Sequence, residues 1–220
     1  MFKEVALDIY ALFAIAGMSF AIGFSGAIMP GPLLTVVVNQ AARRGFWWSF
    51  LAVVGHGIAE VAIVAALILG LGRLVVMPYV KAGIAIAGGA VLVIMAVMMF
   101  RSLSGLSLVK ETEKDAKGGA VSIFHGIVAS ISNPYWIIWW ATVGLALITK
   151  SWEAGLMGVG FFYVGHIMSD VVWYSAVGAS ISLNRRLMGD RVYRWIVLCC
   201  ASALLGFGLY FEASGIKFII

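Results

Sequence analysis

The sequence predicts an all-α integral membrane fold of six transmembrane helices, arranged as two inverted three-helix repeats with the first and fourth helices broken at proline. Three observations carry this prediction. Hydrophobic residues make up 63% of the 220-residue chain, charged residues only 11%, and mean hydropathy is +1.04, a composition no soluble globular surface matches. Uncharged or nearly uncharged stretches occupy 9–42, 45–72, 82–100, 118–149, 154–184 and 195–211, and a hydrocarbon core is crossed by about 20 residues. Finally, Val54-Gly55-His56-Gly57-Ile58-Ala59-Glu60-Val61 recurs as Val164-Gly165-His166-Ile167-Met168-Ser169-Asp170-Val171, 110 positions further on.

The first stretch is too long for one straight helix. Its 34 uncharged positions would extend about 51 Å against a core of about 30 Å. Pro30-Gly31-Pro32 is the expected break, because two prolines remove amide donors and Gly31 tolerates non-helical torsions. Gly23, Ser25 and Gly26 just before it allow a neighbouring helix to approach. The second stretch is interrupted only by Glu60 and the third is uncharged to Phe100. The fourth carries Asn133-Pro134, a good cap followed by proline at home in the first helical position. The fifth contains only Asp170, and the sixth holds the adjacent Cys199 and Cys200, read as packing residues because they form neither a C-x-x-C motif nor a disulfide framework.

The repeat runs through the chain. Pro30 matches Pro134, and the third helix ending Met98-Met99-Phe100 matches the sixth ending Leu209-Tyr210-Phe211. The expected organisation is a first repeat over 1–101, a cytoplasmic linker over 102–119, and a second repeat over 120–220, all within one membrane domain. The linker carries Lys110, Glu111, Glu113, Lys114, Asp115 and Lys117 with little apolar periodicity, as a solvated connector does. Three is odd, so the second repeat enters the membrane from the opposite side, as in alternating-access transporters.

Orientation follows from Lys and Arg. The gaps after odd-numbered helices hold ten: Arg43, Arg44, Arg101, Lys110, Lys114, Lys117, Arg185, Arg186, Arg191 and Arg194. The termini and remaining gaps hold five: Lys3, Arg73, Lys81, Lys150 and Lys217. The positive-inside rule puts the odd gaps in the cytoplasm and both termini outside. Trp47, Trp48 and Trp195 then form the inner aromatic belt, with Tyr79 and Trp152 in the outer one. The net charge of +5 is thus a topology signal and implies no nucleic-acid partner. The chain is read as a multi-pass protein of a bacterial or archaeal plasma (inner) membrane, with the lipid bilayer as its surroundings. Its small residues permit a homodimer without requiring one. No phosphate-loop motif is present for ATP hydrolysis, so no enzyme activity and no cofactor is expected, and pumping would draw on an ion gradient or a partner.

The chemistry concentrates on four residues. A spacing of four puts His56 and Glu60 on one helix face, and His166 and Asp170 on another. An ionisable group in the hydrocarbon core costs about 2.5–3.5 kcal/mol even on insertion scales, which marks both pairs for use. If the broken helices restart after Pro30-Gly31-Pro32 and Asn133-Pro134, two helix amino termini with free amides face the midplane and attract an anion. Amides for a carboxylate, and Glu60 with Asp170 for an ammonium, describe a small-molecule site for a zwitterionic amino acid. His56 and His166 would set carboxylate protonation or carry protons. His125, unmatched in the first half, is assigned to the interface.

A small-residue-rich first helix ending in Pro30-Gly31-Pro32, a glycine-rich second helix, and Asn133-Pro134 followed by aromatics resemble the lysine exporter family, the LysE/RhtB-type translocators. The resemblance covers nearly the whole chain. It implies efflux of amino acids or related small metabolites, driven by the proton motive force. The threonine and homoserine branch often has Lys after Asn-Pro, where this chain has Tyr135-Trp136 and then Trp139-Trp140. These aromatics are read first as packing against lipid or partner helices, and second as a wall for an apolar or cationic substrate group. Two rivals stay open: divalent-metal transport with His56, Glu60, His166 and Asp170 as ligands, and a structural subunit in which each histidine bonds its own acid. Helix amino termini disfavour a bare cation, and polar interhelical contacts contribute only about 0.6 kcal/mol on average, which weighs against each in turn.

Overall fold

The computed structural model describes residues 2–71, 77–103, 118–184 and 189–217. Among these residues the fold is helical throughout, with no strand. The expected linker lies almost wholly outside the described residues, as do Arg73, Lys110, Lys114, Lys117, Arg185 and Arg186 of the basic-residue count.

Helix α1 (Phe2–Ala27) ends before the predicted break, and α2 (Pro32–Arg44) restarts with Pro32 in its first turn and extended Gly31 as its cap. Proline there forfeits nothing, because the first-turn amides lack helical partners anyway. Gly45, at φ 96, ends α2 and turns the chain into α3 (Phe46–Ala66), a torsion that favours glycine. A π turn, Leu67–Leu71, prolongs α3. Next come α4 (Pro78–Ser102) and α5 (Gly119–Ile131). The Asn133 side chain accepts a 3.1 Å hydrogen bond from the Tyr135 amide and caps α6 (Pro134–Trp139), with Pro134 in the first turn. A second π turn, Trp140–Gly144, leads to α7 (Leu145–Ser151). A short 3-10 turn and Gly155, at φ 66, open α8 (Gly155–Leu183), and α9 (Asp190–Lys217) closes the described chain.

Five helical runs among the described residues are long and apolar enough to cross a membrane: Ile9–Ala27, Phe46–Gly70, Pro78–Arg101, Pro134–Leu183 and Asp190–Lys217. The sequence counts 118–149 as one of six spans, broken at Asn133-Pro134, and the structure divides it at that break. In the structure that stretch is divided between the 13-residue α5 and the start of a 50-residue run through α8. The run doubles back on itself: Trp140 packs against Phe162, and Trp139 lies over His166, with ring centroids 6.1 and 4.7 Å apart.

The helices associate in pairs: α1 along α8, α5 along α3, and α4 along α9, with α2 packed between α3 and α8. Small residues let backbones touch. A Cβ on Gly55 of α3 would press into the Ile123 carbonyl of α5, and one on Gly165 of α8 into the Ala16 carbonyl of α1, the close contact that glycine permits between membrane helices. Large apolar side chains such as Leu69, Tyr79, Leu156 and Leu183 are exposed on the outside, as lipid contact requires. Trp47, Trp152 and Trp195 are exposed as well, and the Arg44 guanidinium lies 3.6 Å over the Trp48 ring, a favourable cation–π contact. His125 contacts Gln40 at 3.3 Å and stands apart from the other two histidines.

Candidate functional site

The interior of this bundle holds the two His/acid pairs as one cluster. His56 and Glu60 come from α3, and His166 and Asp170 from α8. His56 Nε2 lies 3.2 Å from Glu60 Oε1 and 3.8 Å from Asp170 Oδ1, while His166 Nε2 lies 3.1 Å from Glu60 Oε1 and 3.7 Å from Asp170 Oδ2. Each histidine therefore meets the acid on its own helix, as the spacing of four predicts, and also the acid on the other. For His166 the cross-helix contact is the shorter. All four residues are 5% exposed or less.

Glu60 is the hub. Besides both imidazoles, its Oε1 faces the indole N–H groups of Trp136 and Trp140 at 3.4 and 3.3 Å. Burying a carboxylate is costly unless donors surround it, and these aromatics supply them. Trp140 is fully buried, and its ring centroid is 4.8 Å from that of His166. Lipid contact, one half of the preferred sequence reading of these tryptophans, is corrected for the buried Trp140; Trp136, Trp139 and Trp140 pack against neighbouring helices and also line the central cavity. Trp139 and Trp140 both lie beside His166, with ring centroids 4.7 and 4.8 Å away, and a π turn begins at Trp140. Such turns recur at functional sites.

The cavity has a volume of about 60 Å³ and three kinds of wall. The cluster forms one, joined by Ser130 and Tyr174. The break between α1 and α2 forms another, with Pro30, Gly31, Pro32 and Leu33. Leu92, Leu204 and Phe207 supply an apolar part of the lining. Asn133 reaches the cavity, whereas Pro134 stands behind it, packed against Gly88 of α4, where a Cβ would come 2.7 Å from the proline ring. Of the sequence-selected residues, Pro134 alone is off the cavity wall. Three buried polar atoms in the cluster have no hydrogen-bond partner among the described residues: Glu60 Oε2, Asp170 Oδ2 and His166 Nδ1. Buried polar atoms are ordinarily paired, so these three stand out as unsatisfied in the described structure. Ser130 was not anticipated from the sequence. A serine in an apolar helix carries no signal until its partner, here His56 Nδ1 at 2.7 Å, is known.

An apolar helical bundle around a cavity whose polar wall is a buried His/carboxylate cluster is built as a membrane translocator, because such groups inside a membrane mark substrate and ion paths. The chain belongs to the LysE type translocator family, whose model matches residues 24–215. A Bacillus subtilis (strain 168) protein named "Putative amino acid efflux protein YcgF" is 23% identical to it over 197 residues, covering 89% of this chain and 94% of that protein. No solved structure matches the chain significantly.

Proposed function

We propose that this protein is a secondary transporter of the inner membrane that exports a neutral amino acid with an apolar side chain, driven by the proton gradient. The carrying observation is that an acidic cluster, a helix start and an apolar patch line one cavity. Glu60 Oε2 and Asp170 Oδ2 are unpaired acceptors suited to an ammonium group. The start of α2, with Leu33 on the same cavity, presents first-turn amides, the end of a helix that favours a carboxylate. The remaining wall of Leu92, Leu204 and Phe207 suits a side chain without charge. Family membership and the printed name of the Bacillus subtilis relative support amino-acid efflux. About 10–15 Å³ holds one water, so a cavity of about 60 Å³ takes a few waters, and loading an amino acid requires the half-helices to part.

The same reading takes the chain as two inverted three-helix repeats. Its support is the matched packing: α1 on α8 mirrors α5 on α3, α4 meets α9 across the pseudo-axis, and Gly55 against Ile123 mirrors Gly165 against Ala16. Rocking of such repeats about a fixed central site gives alternating access. The four basic residues Arg43, Arg44, Arg191 and Arg194 at helix ends then mark the cytoplasmic side, with both termini outside. His56 and His166 exchange protons with Glu60 and Asp170 as solute enters and leaves.

A divalent-metal reading draws on one observation: His56, Glu60 and Asp170 place ligand atoms within 4.8 Å of one another. Counterflow in proteoliposomes decides between them. Protein preloaded with unlabelled leucine, methionine or phenylalanine is expected to accumulate the labelled counterpart, with lysine and glutamate inert. Counterflow of manganese or zinc alone would assign the cluster to a metal.

A further inference from the structure

The two halves differ in what each offers its histidine. Ser130 Oγ lies 2.7 Å from His56 Nδ1 and 2.7 Å from the Gly126 carbonyl. A carbonyl only accepts, so the single hydroxyl proton goes to Gly126, and Ser130 must accept from His56. His56 therefore carries a proton on Nδ1. Its other nitrogen, Nε2, faces Glu60 and Asp170. Ser130 is 2% exposed.

His166 has no such partner. Its Nδ1 is buried and unpaired among the described residues, while Nε2 meets Glu60 at 3.1 Å. The residue facing Nδ1 is Gly23 of α1, where even a bare Cβ would come 2.7 Å from that nitrogen and 2.6 Å from Ser169 Oγ. Gly23 is the counterpart of Ser130. The carbonyls against which Gly55 and Gly165 pack belong to Ile123 and Ala16, and Ile123 stands to Ala16 as Ser130 stands to Gly23 along the chain. One half supplies a hydroxyl to its histidine. The other supplies no side chain, and its backbone packs directly on the ring.

We propose that Ser130 is a positioning residue that fixes His56 in its Nδ1-protonated form, whereas His166, whose buried Nδ1 meets only the backbone of Gly23, holds its proton on Nε2 toward Glu60 and is the ring whose protonation changes in turnover. His56 then exchanges protons only through Nε2, with Glu60 beside it on α3 and Asp170 on α8. Trp136 on α6 and Tyr174 on α8 complete its surroundings, with ring centroids each 6.3 Å away. The part played by His166 in turnover rests on the transporter reading. The protonation pattern of the two rings does not.

Nitrogen-15 NMR of histidine-labelled protein in nanodiscs tests this, with His56→Gln, His166→Gln and His125→Gln to assign the three rings. The expected spectrum has His56 Nδ1 in the protonated region and His166 Nδ1 in the unprotonated region. Ser130→Ala should release the His56 signal from that position, and Ser130→Thr, which restores a hydroxyl, should return it. Identical Nδ1 signals for His56 and His166, or a His56 signal unmoved in Ser130→Ala, would overturn the proposal. Proteoliposome flux supplies the second arm: Ser130→Ala should shift the pH of half-maximal flux and Ser130→Thr restore it. A lowered rate at every pH with an unchanged profile would reduce Ser130 to a packing role. Failure of flux in the wild type would count against the transporter reading and leave the spectral result standing.

Discussion

At the residue scale, Glu60 holds the centre together, because two imidazoles and two indoles converge on its Oε1. Glu60→Gln keeps the shape and removes the charge. It is expected to lower transport at least about tenfold, equivalent to about 1.4 kcal/mol, while the protein still inserts, as checked by flux and by membrane fractionation. Trp140→Phe tests the donor side. It keeps the ring and deletes the 3.3 Å N–H contact to Glu60; hydrogen bonds to charged groups contribute about 1.5–3 kcal/mol, so a lower Tm in detergent is expected together with slower flux. Both His/acid pairs were legible in the sequence, because charges four apart in an apolar run stand out against their background. The tryptophans were not. An indole suits lipid headgroups, a partner helix and a buried carboxylate equally well, and composition does not distinguish them. Ser130 was silent for the same reason, since a hydroxyl in a membrane helix ordinarily bonds its own backbone four residues back, as Ser130 does with Gly126.

At the element scale, close packing and the breaks decide the geometry. Gly55→Ala and Gly165→Ala would each drive a Cβ into a facing backbone carbonyl, and overpacking of this kind costs about 1–3 kcal/mol. Each should lower Tm, and the two should behave alike because they hold matched helix pairs. Gly17→Ala is the control, with nothing within 4 Å of the added Cβ; thermal unfolding in detergent compares the three. The breaks at Pro30-Gly31-Pro32 and Asn133-Pro134 were readable because proline and a capping asparagine leave few alternatives. The π turn at Trp140–Gly144 was not, because no proline or capping residue marks it and tertiary contacts decide such a turn. Pro32→Ala and Pro134→Ala separate two roles. Pro32 lines the cavity, whereas Pro134 seats α6 on Gly88 of α4. Pro32→Ala should therefore impair flux with little change in Tm, and Pro134→Ala should lower both.

At the scale of the whole molecule, paired helices surround one ionic centre to which α3 and α8 contribute equally, each with a histidine and an acid. In the proposed mechanism the halves rock and offer this one set of groups to either side. Proton coupling is the central proposal, in which a solute ammonium and a proton compete for the same carboxylate oxygens. The most direct test is uptake of labelled leucine into inside-out vesicles with an imposed proton gradient, acid inside, comparing wild type with Glu60→Gln. Gradient-dependent accumulation in the wild type, abolished by an uncoupler and absent in Glu60→Gln, is the predicted result. Accumulation that ignores the gradient, or that persists in Glu60→Gln, would contradict it.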